Sequence, residues 1–190
     1  MKYSNLFGLI CLSLFLAKCS DDSGTVGPCP IVLEVPSPSI YQVARLTIDT
    51  ENGAPIVSKN KKDYVNCTLT IDSEKEEWDY TGTGRIRGRG NSTWLWYPKK
   101  PYRIKLNKKS EILGLATEKD WVLLANYRDP TQMMNTFTFI VGEKLGLPYT
   151  NHSRYVEVTL NGDYIGLYQL TEQVEQGSSR VAVSYTHLRA

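Results

Sequence analysis

Apolar and polar residues alternate along much of the chain, and this pattern predicts a sheet. Successive side chains of a strand point to opposite faces, so alternation buries one face and leaves the other polar. Two alternating runs, Arg154–Leu160 and Tyr164–Leu170, are joined by Asn161-Gly162-Asp163, a strong signal for an antiparallel hairpin. The other predicted strands are Ala44–Asp49, Tyr64–Ile71, Tyr80–Arg87, Tyr102–Leu106 and Trp121–Leu124, the last of which also fits a buried turn.

Only one segment has the periodicity of a long helix. The segment Pro130–Leu145 begins with a proline after Asp129, the predicted N-cap, and Gly146 can end it. Met133 and Met134 are interpreted as core residues. The apolar stripe of this helix comprises Met133, Phe137, Ile140, Val141 and Leu145. The pattern therefore predicts an α+β fold with a mostly antiparallel sheet and one main helix.

The beginning of the chain predicts export. Residues 6–17 carry no charge and are too short to span a bilayer, which is typical of a secretory signal. Cys19 follows, ahead of an acidic stretch, and this arrangement resembles the lipoprotein signals of Bacteroidetes. We therefore predict a signal peptide over 1–19, a lipid anchor on Cys19 and a place on the outer membrane at the cell surface. Lys18, where that pattern has a small residue, leaves open a plain secretory signal with an incidental cysteine.

Composition narrows the classes of function. The net charge of +2 gives no reason to expect nucleic acid as a partner. Only His152 and His187 are present, which argues against a histidine-built metal site or a Ser-His-Asp triad. Residues 20–43, rich in Ser, Pro, Gly and Asp, are predicted to be a tether. Cys29 and Cys67 remain after export, and their spacing leaves open both a disulfide and two free thiols.

Four segments, taken together and in order, resemble one known family. They are Arg85–Trp94, Lys99–Leu106, Asp120–Asp129 and Val156–Val174. The family is CotH, a group of atypical protein kinases similar to spore coat protein H. The resemblance implies that residues 44–183 form part of a kinase domain that resembles the N-terminal lobe of kinase-like folds. It also implies ATP and a divalent cation such as Mg²⁺ as cofactors, and protein hydroxyls as phosphate acceptors.

Candidate nucleotide-binding residues cluster in one loop and on the strand after it. The glycines Gly88 and Gly90 permit close approach of a ligand to the backbone. Side chains around them can donate to phosphate, namely those of Arg87, Arg89, Asn91 and Ser92. The alternative is a tight turn decorated with arginines. The resemblance further implies Lys105 or Arg103 as a phosphate contact and Glu172 as part of the base pocket. Their alternatives are a solvated strand face and an ordinary strand end.

The catalytic carboxylates of a kinase cannot be assigned in this sequence. Such carboxylates hold the metal and orient the acceptor hydroxyl, and in kinase-like folds they follow the connection between lobes. We interpret residues 184–190 as an artefactual tail, and we expect an incomplete domain that is inactive alone. Two alternatives remain. One is a non-catalytic surface lipoprotein for binding or adhesion; the other is a glycan-handling lipoprotein that uses Trp94 and Trp96.

Overall fold

A computed structural model describes residues 43–177 and 180–181. The predictions for Cys19, for Cys29, for the tether and for the tail fall outside these residues. Two helices are present among them, α1 (Ser92–Leu95) and α2 (Met134–Lys144). Neither is both long and apolar enough to cross a membrane. The strands are β1 (Ala44–Thr50), β2 (Val65–Asp72), β3 (Tyr80–Gly88), β4 (Tyr102–Ile112), β5 (Leu115–Leu124), β6 (Ser153–Leu160) and β7 (Asp163–Glu172).

The seven strands close into a barrel in the order β1-β2-β3-β4-β5-β7-β6. Neighbours from β1 to β5 are antiparallel, and β7 pairs antiparallel with both β5 and β6. The barrel closes where β1 pairs parallel with β6, with Leu46 opposite Val158. The predicted α+β fold, similar to the N-terminal lobe of a kinase, is therefore wrong. The barrel forms because the first strand pairs with the sixth. No local sequence pattern predicts that pairing.

The barrel interior is filled by the apolar members of the alternating strands. Ile48, Ile86 and Leu123 have no exposed surface, and Trp121 is 1% exposed. The Trp121 indole donates a hydrogen bond of 3.2 Å to the carbonyl of Glu118, so its polar atom is satisfied. Burying each large apolar side chain contributes about 1.5–3 kcal/mol. This core holds the strands that carry the charged outer face.

Cys67 is one of the core residues. Its side chain lies inside the barrel, and burial raises the pKa of its thiol to about 12. The thiolate is the reactive form of cysteine, so this thiol is chemically quiet at neutral pH. Cys29 lies outside the described residues, so both alternatives for the two cysteines, a disulfide and two free thiols, stay open.

Helix α2 confirms the predicted helix in part and corrects its orientation. It begins four residues later than predicted, because the Asp129 carboxylate accepts hydrogen bonds from the backbone amides of Thr131 (3.0 Å) and Met134 (2.8 Å). Met133 and Met134 are 48% and 61% exposed, so their interpretation as core residues is wrong. The rest of the predicted stripe also lies on the exposed side: Phe137 63%, Ile140 50%, Val141 36% and Leu145 75%.

Polar contacts hold the other side of α2 against the barrel. Gln169 of β7 has no exposed surface, and its amide donates to the hydroxyls of Thr136 and Ser153 at 2.9 Å each. The hydroxyls of Thr136 and Tyr155 lie 2.8 Å apart. A buried amide must be hydrogen-bonded, and Thr136, on the inward side of the helix, supplies one of the partners of Gln169.

The orientation of α2 predicts a contrast between two substitutions. Leu123→Ala, inside the barrel, should lower the free energy of unfolding by about 2–5 kcal/mol, because it leaves a cavity. Phe137→Ala should lower it by less than about 1 kcal/mol, because the ring is mostly in water. Urea denaturation of the two variants measures both values. Equal losses would contradict the outward orientation of the apolar stripe.

Candidate functional site

The arginine-rich loop begins where β3 ends. Gly90 has a φ of +84°, which favours glycine, and an added Cβ would lie 2.1 Å from the Thr93 hydroxyl. A Cβ on Gly88 would lie 2.4 Å from the ring of Trp94. The amides of Gly88 and Arg89 donate to backbone carbonyls, at 2.8 Å and 3.1 Å. These glycines therefore let the loop pack on itself, and the amides of Gly88 and Arg89 are already used within the protein.

Cross-strand pairing brings the cations of the loop and of β4 together. Arg87 and Arg103 are opposite each other in β3 and β4, on the outer face of the barrel. Arg89 lies beside both. Burial lowers the pKa of the Arg89 guanidinium, and the positive charges of Arg103 and Arg87 lower it further. Within the described residues, Arg89 forms no ion pair with an acidic side chain.

Arg87 is buried and is held by carbonyl groups. Its Nη1 donates to the carbonyls of Lys59 (2.6 Å) and Gly88 (2.8 Å), and its guanidinium lies 5.2 Å from the centre of the Tyr64 ring. Its Nε is buried without a hydrogen-bond partner among the described residues. Backbone carbonyl dipoles and the Tyr64 ring thus stabilise this guanidinium, whereas a buried arginine is usually paired with a carboxylate.

Besides Glu175, which lies 3.9 Å from Arg103, the cluster contains one acidic residue that pairs with both cations of β4, Asp120 of β5. Its Oδ1 lies 2.6 Å from Nη2 of Arg103, and its Oδ2 lies 3.5 Å from Nζ of Lys105. The Asp120 side chain is only 7% exposed, so these ion pairs are partly shielded from water. A single carboxylate therefore fixes both candidate cations of β4. The sequence showed Asp120 only as part of a larger segment, because its role depends on the pairing of β4 with β5.

The remaining loop residues lie at the edge of the cluster. The Asn91 side-chain carbonyl accepts a hydrogen bond of 2.9 Å from Nζ of Lys59, which adds a further cation on this side. Ser92 is the first residue of α1. Trp94 packs edge-on against Tyr102, with ring centres 6.3 Å apart, whereas Trp96 is 74% exposed.

The structure does not bring Glu172 to this cluster. Glu172 lies at the end of β7 with 1% exposure, and its carboxylate accepts hydrogen bonds from the backbone amide (2.7 Å) and Nδ1 (3.1 Å) of His152. Nearby, burial raises the pKa of the Tyr149 hydroxyl to about 12, and the negative charge of Glu172 adds to the shift. Glu172 is thus engaged with His152 at another place.

The cluster suits an anion better than a metal ion. Four cations, Arg87, Arg89, Arg103 and Lys105, belong to the cluster, and two of them, Arg103 and Lys105, already engage the Asp120 carboxylate. In residues 43–177 and 180–181, no three His, Cys, Asp or Glu side chains are grouped to hold a metal ion. The described residues therefore fit the phosphate part of a nucleotide and do not fit a resident divalent cation.

The fold and the cluster define a class, a β-barrel domain with a surplus of positive charge on one outer face. The family comparison then identifies the group. Residues 86–187 match the model of the CotH kinase protein family, which is more than half of the chain. The chain belongs to the CotH kinase family, and the match includes every residue of the cluster. No curated protein matches the chain.

Because like charges are crowded in the cluster, we predict that the cluster lowers the free energy of unfolding. Arg89→Met should raise the free energy of unfolding by up to about 1 kcal/mol at low salt, because it removes repulsion from Arg87 and Arg103. The gain should shrink as salt is added. Arg45→Met is the matched control, because Arg45 is exposed and has an acidic partner, Asp72, at 3.8 Å. A loss of stability larger than that of the control would contradict the uncompensated charge on Arg89.

Proposed function

We propose that this chain provides the phosphate-binding surface of a CotH-type kinase that transfers a phosphoryl group from ATP to protein hydroxyls. The observation that carries the proposal is the half-buried guanidinium of Arg89, which lies near two other arginines and has no acidic partner in the described residues. A cation in that position destabilises the fold, and a bound polyanion would offset the destabilisation. The family match supports the same chemistry.

Phosphoryl transfer relies on positioning and on charge stabilisation more than on covalent chemistry by the protein. A guanidinium can bind two phosphate oxygens at once, and an ammonium acts as a point charge. Arg89 and Arg103 supply the first kind of contact, and Lys105 supplies the second. Asp120 competes with the phosphate for Arg103 and Lys105, so it limits affinity and keeps both cations oriented before the ligand arrives.

The N-terminal segment supports an exported form of this kinase. In that form Cys19 is lipidated and anchors the protein to the outer membrane, and residues 20–43 are the tether. The kinase acts on proteins at the cell surface, and the nucleotide brings a divalent cation such as Mg²⁺ with it. This ion would be held by phosphate oxygens and by groups other than those of the arginine cluster.

A second function, binding without catalysis, is favoured by one observation. The carboxylate within the cluster, Asp120, is engaged by two cations and is not free to act as a base. A surface module that holds an anionic ligand needs only the cations. Transfer of labelled phosphate to an acceptor protein, lost in Arg89→Met, would favour the kinase. Because the chain alone is expected to be inactive, the module would be favoured by binding of phosphate with no transfer in a longer form of the protein that carries the catalytic carboxylates.

The proposal predicts which ligands bind and which residues matter most. ATP and inorganic tripolyphosphate should bind, and adenosine should bind much more weakly. Arg89→Met should weaken tripolyphosphate binding about tenfold or more, the value of a charge-assisted hydrogen bond. Lys105→Met should weaken it less, by about two- to fivefold, because that ammonium is already paired with Asp120. Isothermal titration calorimetry measures all five affinities.

Arg45→Met is again the control and should leave the affinity unchanged. The affinity of the unmodified chain should also fall steeply with salt, since the contacts are ionic. Adenosine binding as tightly as ATP, or Arg89→Met binding tripolyphosphate as the unmodified chain does, would rule out the cluster as the phosphate site.

A further inference from the structure

The chain that follows β7 continues alongside β5. The amide of Gln173 donates a hydrogen bond of 3.1 Å to the carbonyl of Asp120, next to the last paired residue of β7. Arg180 then reaches the same carbonyl from the other end of this segment, with Nη2 at 2.8 Å. Two hydrogen bonds from residues 173 and 180 thus meet at the backbone of the acidic residue in the phosphate site.

Arg180 is buried and multiply bonded. Its side chain is 1% exposed, and its Nη1 donates to Oε1 of Glu175 at 2.7 Å and to the carbonyl of Gln173 at 2.5 Å. A further carboxylate, that of Glu118, lies 4.0 Å from its Nε. Burying a guanidinium is costly, and an apolar side chain of similar size would often stabilise a fold equally well. The contacts of this arginine therefore call for an explanation beyond packing.

These contacts continue into the phosphate site. Oε2 of Glu175 lies 3.9 Å from Nη2 of Arg103, and Arg103 pairs with Asp120, which in turn pairs with Lys105. Charges of alternating sign thus run from the buried Arg180 to the half-exposed Lys105. Arg180 touches both acids that face Arg103: one through its backbone carbonyl and one through its carboxylate.

We propose that Arg180 is a positioning residue that orients Arg103 for phosphate, an inference that rests on the proposed function. Arg180 holds Glu175 and the Asp120 backbone in place, so that Arg103 keeps one conformation facing Arg89. Arg180 does not contact the ligand. Without it, Glu175 and the Asp120 carbonyl lose the guanidinium that joins them, and Arg103 loses its fixed partners.

Two variants separate geometry from charge. Arg180→Met removes the charge. Arg180→Lys keeps the charge but cannot span the Asp120 carbonyl and Glu175 as a planar fork does. Both variants should weaken tripolyphosphate binding by about three- to tenfold, in line with coupling through one network. Val158→Ala, a core change in β6 away from the segment, is the control for general loss of stability and should keep the affinity.

A second readout does not depend on the ligand. The Nε–H group of Arg103 donates to Asp120 at 3.1 Å and should give a protected ¹⁵N–¹H signal, identified by its loss in Arg103→Lys. Both Arg180 variants should lose that protection, and Val158→Ala should retain it. If Arg180→Lys keeps the signal and the affinity, the positioning role is overturned. If the unmodified chain fails to bind tripolyphosphate, the proposed function fails and the Arg103 signal alone decides the role of Arg180.

Discussion

The antiparallel register of β3, β4 and β5 fixes the core and the charged surface together. Arg87 lies opposite Arg103, and Lys105 lies opposite Asp120, whereas Ile104 between the two cations of β4 fills the barrel. A slip of one residue would turn the cations inward and the aliphatic side chains outward. The free energy that buries the apolar side chains therefore also holds the cluster in place, and the site needs no separate scaffold.

The positive charge of this cluster is only partly neutralised by acidic partners, and its four cations differ in the partners they have. Arg103 and Lys105 share Asp120, and Arg87 uses carbonyl groups and the Tyr64 ring. Arg89 is left with like charges as neighbours. Functional sites often retain such local instability because the ligand removes it. The apolar core of the barrel stabilises the fold enough to offset the repulsion between these charges.

Local pattern predicted the strands and the turn, and four segments in order resembled the family, but neither indicated how distant elements meet. Asn161 and Gly162 have φ values of 51° and 86° in the predicted hairpin turn, and the family match confirms the resemblance. The outer parts of β4 and β5 were missed because their many charged residues do not alternate with apolar ones. The closure of β1 on β6 and the role of Asp120 depend on pairing between distant strands. Helix α2 turns its predicted apolar stripe outward, and its Thr136 bonds to the buried Gln169 of a distant strand.

A crystal structure of this chain with a non-hydrolysable ATP analogue tests the central claim most directly. The terminal phosphate oxygens are expected within about 3 Å of the Arg89 guanidinium, in contact with Arg103 or Lys105, with the barrel unchanged. Phosphates bound at another surface, with Arg89 still facing solvent and other cations, would contradict the account.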